Sequence, residues 1–253
     1  MPSRNDVTVV IAAKDEEPTI AGVLEACRPL ARDLLVVDGR SADRTAAVAA
    51  AHGARVLTDH GRGKGDALRT AIGEIATDIT VFLDADGSHD PADIPRLIAP
   101  LVDGRADHVS GSRLIGGSSE LHGGFDEFCR LAGSAFITAC INWRFGVRLS
   151  ESQNGFRAIR TGVLRQLGLR ANGTTIEQEM VIQTLRLGFR MEEVPAHEYR
   201  RRYGRSHIVL WRAAPRYLLT LVWYLCRPGV RRVGAVAGDL PAGRGAGRLR
   251  AQG

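Results

Sequence analysis

Three aspartates lie close together behind an apolar run in the stretch VFLDADGSHDP, residues 81–91. Carboxylates this close repel one another, so the arrangement costs stability unless a cation or hydrogen bonds compensate. Asp90 precedes a proline and is explained as a helix start. Asp84 and Asp86 have no such explanation, but two carboxylates at i and i+2 can converge on one hard cation. The stretch therefore predicts Mg²⁺ or Mn²⁺ at a strand end, with open positions for a substrate diphosphate.

The elements that must position these aspartates alternate along the first half of the chain. Strand patterns cover 7–13, 33–38, 54–59 and 79–86, and helix patterns cover 18–30, 41–53 and 63–76. Strands buried on both faces that alternate with helices form a parallel, doubly wound sheet, which binds ligands at the carboxyl ends of its strands. Asp38 and Asp84 end two of these strands, so we expect both at one crevice. Ser41 is expected to cap the second helix and Gly53 to end it.

The composition fits one α/β domain, since 253 residues with 44% hydrophobic side chains can bury a substantial core. The four cysteines have no C-x-x-C spacing, which indicates neither a zinc ribbon nor a disulfide framework. The first residues lack a signal-peptide pattern, so we expect a cytoplasmic protein.

The net charge of +6 is concentrated at one end of the chain. Residues 196–253 contain twelve Arg but only two acids, a net charge of +10, which leaves −4 on residues 1–195. A basic end on an acidic body predicts an anionic partner, either a phosphorylated substrate or an anionic membrane surface. Nucleic acid is not expected, because the segment has no helix-turn-helix or RNP-type pattern.

Two nucleotide-binding motifs are excluded. The stretch GRGKG at 61–65 resembles a phosphate loop, but Thr58 stands where a Walker A motif needs Gly, and Gly65 where it needs Ser or Thr. No glycine follows the first strand, as a dinucleotide fingerprint would require. The glycines are expected to form a tight turn into the third helix. Lys64 is then either solvated or close to a phosphate.

Eight motifs follow one another in a recognisable order. They are VIAAKDEE, VVDGRSADRT, GKGDALRTAI, VFLDADGSHDP, SGSR, NGFRAIR, EQEM and RRYGRS. With them, residues 7–208 resemble a family 2 glycosyltransferase of the GT-A fold, most of all the dolichyl-phosphate mannosyltransferase (polyprenyl-phosphate hexosyltransferase) group. The resemblance implies an α/β, Rossmann-like GT-A domain over 1–207, with a mostly parallel sheet between helices. It implies inverting, metal-dependent transfer of a hexose from GDP-mannose or a UDP-hexose to a polyprenyl phosphate.

The resemblance also assigns site residues. It places the metal on Asp84 and Asp86. Donor-binding positions are Ala12, Lys14, Glu16, Asp38, Asp84 and Ser88. Positions for the acceptor phosphate are Arg113, Arg130, Ser134 and Arg202, and the catalytic set is Asp86, Arg113 and Arg130. Glu177 and Glu179 are either part of this site or first-turn acids favoured by a helix dipole.

Departures from the family pattern leave the donor open. The family usually has Pro where Ala12 stands, Asn where Asp15 stands, a second acid where Gly39 stands and Gln where Ser88 stands. Asp15 and Gly39 leave both GDP- and UDP-sugars possible. Ser88 still offers an oxygen to the metal, directly or through water.

The sequence also leaves two kinds of acceptor possible, a phosphate and a hydroxyl. A phosphate monoester is largely ionised near neutral pH, with a second pKa of about 6, so it needs arginines to position it and no general base. A hydroxyl acceptor, as in a soluble glycosyltransferase for a small molecule, would need a base. Asp126 or Glu127 could supply one. A nucleotide-sugar-binding module without catalysis is disfavoured by the intact pair of aspartates.

The C-terminal segment 208–233 has an amphipathic pattern. Its unbroken apolar core, 217–226, would reach only ~15 Å as a helix, half of the ~30 Å hydrocarbon slab, so it should not span a bilayer. Aromatic residues flanked by arginines are typical of an interfacial helix, and the alternative is packing on the sheet or in a homodimer. We therefore expect a peripheral protein on the cytoplasmic membrane face. The Gly- and Ala-rich tail 234–253 is expected to be disordered.

Overall fold

The computed structural model describes residues 6–119, 125–200 and 210–226, and among these it leaves the side chains of 125–130 and 210–214 undescribed. The strands are β1 (Val7–Ala13), β2 (Asp33–Asp38), β3 (Arg55–Thr58), β4 (Ile79–Asp84), β5 (His108–Ser112), β6 (Arg157–Arg160) and β7 (Met191–Pro195). The described helices are α1 (Glu17–Cys27), α2 (Thr45–Ala51), α3 (Lys64–Ile72), α4 (Ile94–Val102), α5 (Arg113–Gly116), α6 (Phe125–Phe145), α7 (Thr161–Gln166), α8 (Ile176–Arg186) and α9 (Leu210–Leu225).

The seven described strands form one sheet in the order β3-β2-β1-β4-β6-β5-β7. β1 lies parallel to β2 and β4, and β2 lies parallel to β3, as the alternating pattern predicts. β6 runs antiparallel to both β4 and β5. The mostly parallel sheet of a GT-A fold is therefore confirmed.

Helices cover both faces of the sheet. Alternate residues of a strand point to opposite faces, so Val9 packs with the α1 and α4 side chains while Val10 packs with those of α3, α7 and α8. Full burial of each such side chain stabilises the fold by about 1.5–3 kcal/mol. A third cluster, which includes Ile141, Val181 and Leu221, joins α6, α8 and α9.

The expected cap of α2 is wrong. Ser41 lies before the helix, where its hydroxyl accepts the Asp15 N–H at 2.9 Å and its own N–H donates to Asp38 at 3.2 Å. The Asp43 carboxylate instead accepts the N–H of Thr45, the first helical residue, at 2.9 Å. Gly53 follows the helix with φ +71°, which agrees with its predicted role in ending α2.

Other predicted boundaries shift by a few residues. The helix predicted over 18–30 covers Glu17–Cys27 and continues as a short 3₁₀ segment, Arg28–Leu30. The strand predicted over 79–86 ends at Asp84, so Asp86 lies in the following turn. Asp90 accepts the Ala92 N–H at 2.9 Å, as expected of a helix start.

The C-terminal helix α9 buries one face and exposes the other. Leu221 and Tyr224 are buried against α6 and α8, whereas Leu219 is 70% exposed and Trp223 is 56% exposed. Among the helices that the structure describes, none is both long enough and apolar enough to cross a membrane. The helix lies within the predicted segment 208–233, while the predicted disordered tail 234–253 lies outside the described residues.

Candidate active site

The two aspartates of the predicted metal site lie at the centre of the sheet, where β4 ends. Asp84 pairs in register with Ala12 of β1, so the acids face the edge at which the parallel strands end. Asp86 is buried and accepts the Ser88 N–H at 2.9 Å, which fixes the turn. Gly87, at φ +74°, allows this turn its left-handed backbone.

The donor atoms of this turn fit a hard divalent cation. Asp84 and Asp86 offer carboxylate oxygens and Ser88 a hydroxyl, which are the ligand types that Mg²⁺ and Mn²⁺ prefer. Within the described part of the chain, no group of three or more His, Cys, Asp or Glu side chains is placed to hold a metal. A cation here would take its remaining ligands from a substrate diphosphate and water, as Mg²⁺ commonly does.

Lys64 is paired with two carboxylates at the end of β4 and the start of α8. Its Nζ lies 2.6 Å from Asp84 Oδ1 and 2.8 Å from Glu177 Oε1. Burial lowers the pKa of Lys64, but the charges of Asp84 and Glu177 outweigh that effect and raise the pKa above the ordinary value for lysine. Lys64 and Glu177 are therefore both part of the site around the first aspartate.

The glycine after Lys64 brings α3 against the chain before α8. A Cβ on Gly65 would lie 2.3 Å from the Ala171 carbonyl oxygen, so no other residue fits without displacing backbone. Gly155 has the same role beside the acids, because a Cβ there would lie 2.9 Å from both Asp84 Oδ2 and Lys64 Nζ. Gly65 and Gly155 thus allow close approach of the backbone at the site.

The predicted donor-binding residues meet where β1 and β2 end. Asp38 is buried and pairs in register with Ala13, while the exposed Lys14 and the half-buried Glu16 follow β1 directly. Asp15 has φ +55° and accepts the Ala42 N–H at 2.7 Å, which ties the two loops together. Asp and Asn both tolerate this left-handed backbone, which explains why Asp can stand where Asn is usual.

Arg113 follows β5 and is held between two carboxylates. Its Nε lies 2.8 Å from Glu151 Oε1, and its Nη1 lies 2.7 Å from Glu198 Oε2. Glu151 is buried, and burial raises the pKa of its carboxyl although the charge of Arg113 opposes the shift. The predicted phosphate-binding arginine is thus already charge-paired.

The segment that carries Glu198 connects Arg113 to the metal turn. The Tyr199 N–H donates to the Ser88 carbonyl at 2.8 Å, and the Ser119 N–H donates to the Glu198 carbonyl at 2.8 Å. Ser118 Oγ also donates to the Glu198 carboxylate at 3.2 Å. One strand-like segment therefore fixes both the donor side and the predicted acceptor side of the crevice.

The other predicted acceptor residues are described only in part. Ser134 is half-buried on α6, one turn before Thr138, whose hydroxyl lies 2.9 Å from that of Ser152 beside Glu151. Arg130 lies on the same helix, but its side chain is not described. Arg202 lies outside the described residues. The roles of these three residues stay predictions.

A buried arginine that the sequence did not assign lies behind the acids. Arg157 is 1% exposed, and its guanidinium donates to the carbonyl oxygens of Asn154 at 3.1 Å and Glu177 at 3.2 Å. Burial lowers its pKa to about 10, against the charges of Glu177, Glu151 and Asp84, which raise it. The motif NGFRAIR thus supplies a buried cation that balances the charges of Asp84 and Glu177 on the donor side and of Glu151 on the predicted acceptor side.

Comparison with known proteins is consistent with this geometry. The model of glycosyl transferase family 2 matches residues 8–164. Glycosyltransferase AglJ of Haloferax volcanii is 29% identical over 206 residues, which are 81% of this chain and 66% of that relative. Dolichyl-phosphate hexose transferase of the same organism is 28% identical over 207 residues, 81% of this chain and 87% of that one. Undecaprenyl-phosphate mannosyltransferase of Micrococcus luteus is 34% identical over 133 residues, 51% of this chain and 52% of that one.

A solved structure extends the likeness to three dimensions. Glucosyl-3-phosphoglycerate synthase from Mycobacterium tuberculosis, crystallised with Mn²⁺, UDP and glucosyl-3-phosphoglycerate, is 26% identical to this chain. The superposition covers 88% of this chain and 81% of that one, with a TM-score of 0.68. That enzyme binds a metal and a nucleoside diphosphate within the same overall fold.

Proposed function

This chain belongs to glycosyl transferase family 2, and we propose that it transfers a hexose from a nucleotide-sugar to a polyprenyl phosphate with inversion. The observation that carries the proposal is the connection, through the segment of Glu198, between a carboxylate turn suited to a metal diphosphate and an arginine suited to an anionic acceptor. Asp84 and Asp86 form the first part, and Arg113 forms the second.

The donor half of the crevice suits a diphosphate that becomes the leaving group. Asp84 and Asp86 would hold Mg²⁺ or Mn²⁺, which supplies Lewis-acid stabilisation to the charge that develops on the departing nucleoside diphosphate. The loops after β1 and β2, with Lys14, Glu16 and Asp38, would hold the nucleoside. The Mn²⁺ and UDP bound by the structural neighbour support this assignment.

The acceptor half suits a phosphate better than a hydroxyl. A phosphate oxygen is already ionised near neutral pH and needs only to be oriented toward the anomeric carbon. Arg113 offers a planar guanidinium that is suited to bidentate phosphate binding. Glu198 pairs with Arg113 at 2.7 Å, so a bound phosphate would compete with this carboxylate. The polyprenyl-phosphate enzymes among the relatives support such an acceptor.

The two packed helices α6 and α9 provide a surface that suits a lipid acceptor. We call it the α6–α9 surface, and its exposed apolar side chains are Phe136, Trp143, Leu218, Leu219, Val222 and Trp223. Trp143 is 86% exposed, and the exposed Arg144, Arg148 and Arg216 lie on the same helices or directly after α6. Apolar and aromatic side chains beside arginines match an anionic membrane surface. We propose that the enzyme docks there, at the cytoplasmic membrane face, to reach its acceptor.

A second candidate acceptor is a small phosphorylated molecule. The structural neighbour, a glucosyl-3-phosphoglycerate synthase with glucosyl-3-phosphoglycerate bound, favours this alternative, because a water-soluble phosphate would also meet Arg113. The two candidates share the phosphate chemistry and differ in whether the product enters organic solvent.

A donor screen tests the proposed function. GDP- and UDP-hexoses are incubated with the chain, Mn²⁺ and polyprenyl phosphate, and free nucleotide is measured. We expect one donor to release nucleotide only when both the metal and the acceptor are present. The proposal is contradicted if no donor gives acceptor-dependent release.

A further inference from the structure

The ammonium of Lys64 lies between a predicted metal ligand and a second carboxylate that has no assigned role. Lys64 contacts Asp84 at 2.6 Å and Glu177 at 2.8 Å. A cation that takes Asp84 would remove half of the charge pairing of this lysine. We propose, on the basis of the proposed metal-dependent function, that Glu177 is a positioning residue that keeps Lys64 paired when a cation takes Asp84.

The residues around Lys64 restrict the position of its ammonium. Its side chain is 24% exposed, and Gly155 packs so closely that a Cβ would lie 2.9 Å from Nζ. A second cation, Arg157, is buried and donates to the carbonyl oxygens of Asn154 and Glu177. A half-buried ammonium that lost its carboxylate here would face a divalent cation without a neutralising group, which is costly at low solvent exposure.

The position of Glu177 suits this role. It is 4% exposed, and its Oε2 has no hydrogen-bond partner among the described residues. Buried carboxylate oxygens in native proteins are normally satisfied, so this oxygen has capacity to accept a further hydrogen bond from the ammonium. Glu177 Oε1 already contacts Lys64 Nζ. The ammonium can therefore pair with Glu177 alone, without any movement of the backbone.

The first turn of α8 is held from outside by α9. Tyr217 donates its hydroxyl to the Thr174 carbonyl at 3.0 Å, and Gln178 Nε2 donates to the Tyr217 carbonyl at 3.3 Å. Glu179, in the same turn, accepts the Arg170 N–H at 2.9 Å and the Ala171 N–H at 2.7 Å. Glu179 therefore has only structural partners among the described residues, and it is the matched control for Glu177.

The test measures binding of Mn²⁺ alone to the full chain by electron paramagnetic resonance. Without the Glu177 carboxylate, the Lys64 ammonium competes for Asp84 and repels the cation, so Glu177→Gln should raise the Mn²⁺ dissociation constant by about tenfold. Adding Lys64→Met to Glu177→Gln should restore the affinity, because the unpaired ammonium is then gone. Lys64→Met alone should bind Mn²⁺ no more weakly than the wild type. Glu179→Gln should melt at a lower temperature and keep the wild-type affinity.

Three results would overturn the role of Glu177. They are wild-type affinity in Glu177→Gln, no recovery in the double variant, and weaker binding in Lys64→Met alone. The last of these applies even if Glu177→Gln does not fold. A separate result would contradict the proposed function, and with it this role of Glu177. That result is an Asp84→Asn variant that binds Mn²⁺ as tightly as the wild type does.

Discussion

Arg113 and Glu198 form an ion pair of 2.7 Å across the predicted acceptor side of the crevice. Glu198 belongs to the segment whose backbone also bonds to Ser88, two residues after the second metal-site aspartate. The side chain expected to bind the acceptor and the loop expected to bind the donor are therefore connected through one short segment. Each of the two residues gives a prediction of its own.

Replacing Arg113 should weaken acceptor use alone. A charge-assisted contact to phosphate contributes about 1.5–3 kcal/mol, so Arg113→Ala should lower kcat/KM for the acceptor by roughly ten- to a hundredfold. Binding of the donor without acceptor, measured by calorimetry, should stay unchanged. Arg105→Ala is the control, because Arg105 is half-exposed and pairs with Asp103 and Glu192 instead. An equal loss of donor affinity in Arg113→Ala would assign this arginine to the donor.

Removing the charge of Glu198 should have the opposite effect on acceptor affinity. Glu198 competes with phosphate for Arg113, and partly exposed ion pairs contribute about 0.2–1 kcal/mol, so Glu198→Gln should lower the acceptor KM by roughly two- to fivefold. Initial rates at several acceptor concentrations measure this change. A higher KM would mean that Glu198 orients Arg113 and does not compete with the acceptor.

The paired aspartates should be essential, whereas the third aspartate of the same stretch should not. Asp84→Asn and Asp86→Asn should abolish transfer and weaken nucleotide-sugar binding, and a chelator should do the same to the wild type until Mg²⁺ or Mn²⁺ is restored. Asp90→Asn should keep activity and stability, because Asn caps a helix as well as Asp does. Full turnover in excess chelator would contradict the metal site.

The α6–α9 surface should bind anionic membranes. The chain should pellet with anionic liposomes, be released at high salt and bind neutral liposomes poorly, since each arginine near the surface contributes about 1 kcal/mol. Trp143→Ser together with Leu219→Ser should reduce pelleting without lowering the melting temperature, because both side chains are exposed. Sedimentation no greater than in the lipid-free control would contradict the membrane surface, and a stable dimer in solution would assign it to a second copy.

Local sequence patterns were enough to predict the first four strands and the two aspartates of the site. Apolar runs with turn residues between them predicted β1 to β4, and the two acids at the end of β4 could be recognised because the signal lies within eleven residues, 81–91. The helix start at Asp90 was predictable for the same reason. The antiparallel β6 was not, because a strand of four residues gains its stability from pairing with distant β4 and β5.

The charge pairs of the site were beyond sequence reasoning. Glu151 and Glu198 lie 38 and 85 positions from Arg113, and no periodicity links residues so far apart. The acid three residues before NGFRAIR was a signal for Glu151, and the motif EQEM was one for Glu177. Neither signal shows which cation the acid pairs with. Only the packing of α3, α5 and α8 around the sheet determines these ion pairs.

The decisive measurement is a competition between the two candidate acceptors in one reaction. The chain is incubated with Mn²⁺, the labelled nucleotide-hexose that it turns over, polyprenyl phosphate and phosphoglyceric acid, and the label is followed into organic solvent and water. We expect the transferred label to enter the organic phase, and we expect Asp84→Asn or a chelator to abolish this transfer. Transferred label that stays in water on phosphoglyceric acid, with none in the organic phase, would contradict the lipid acceptor.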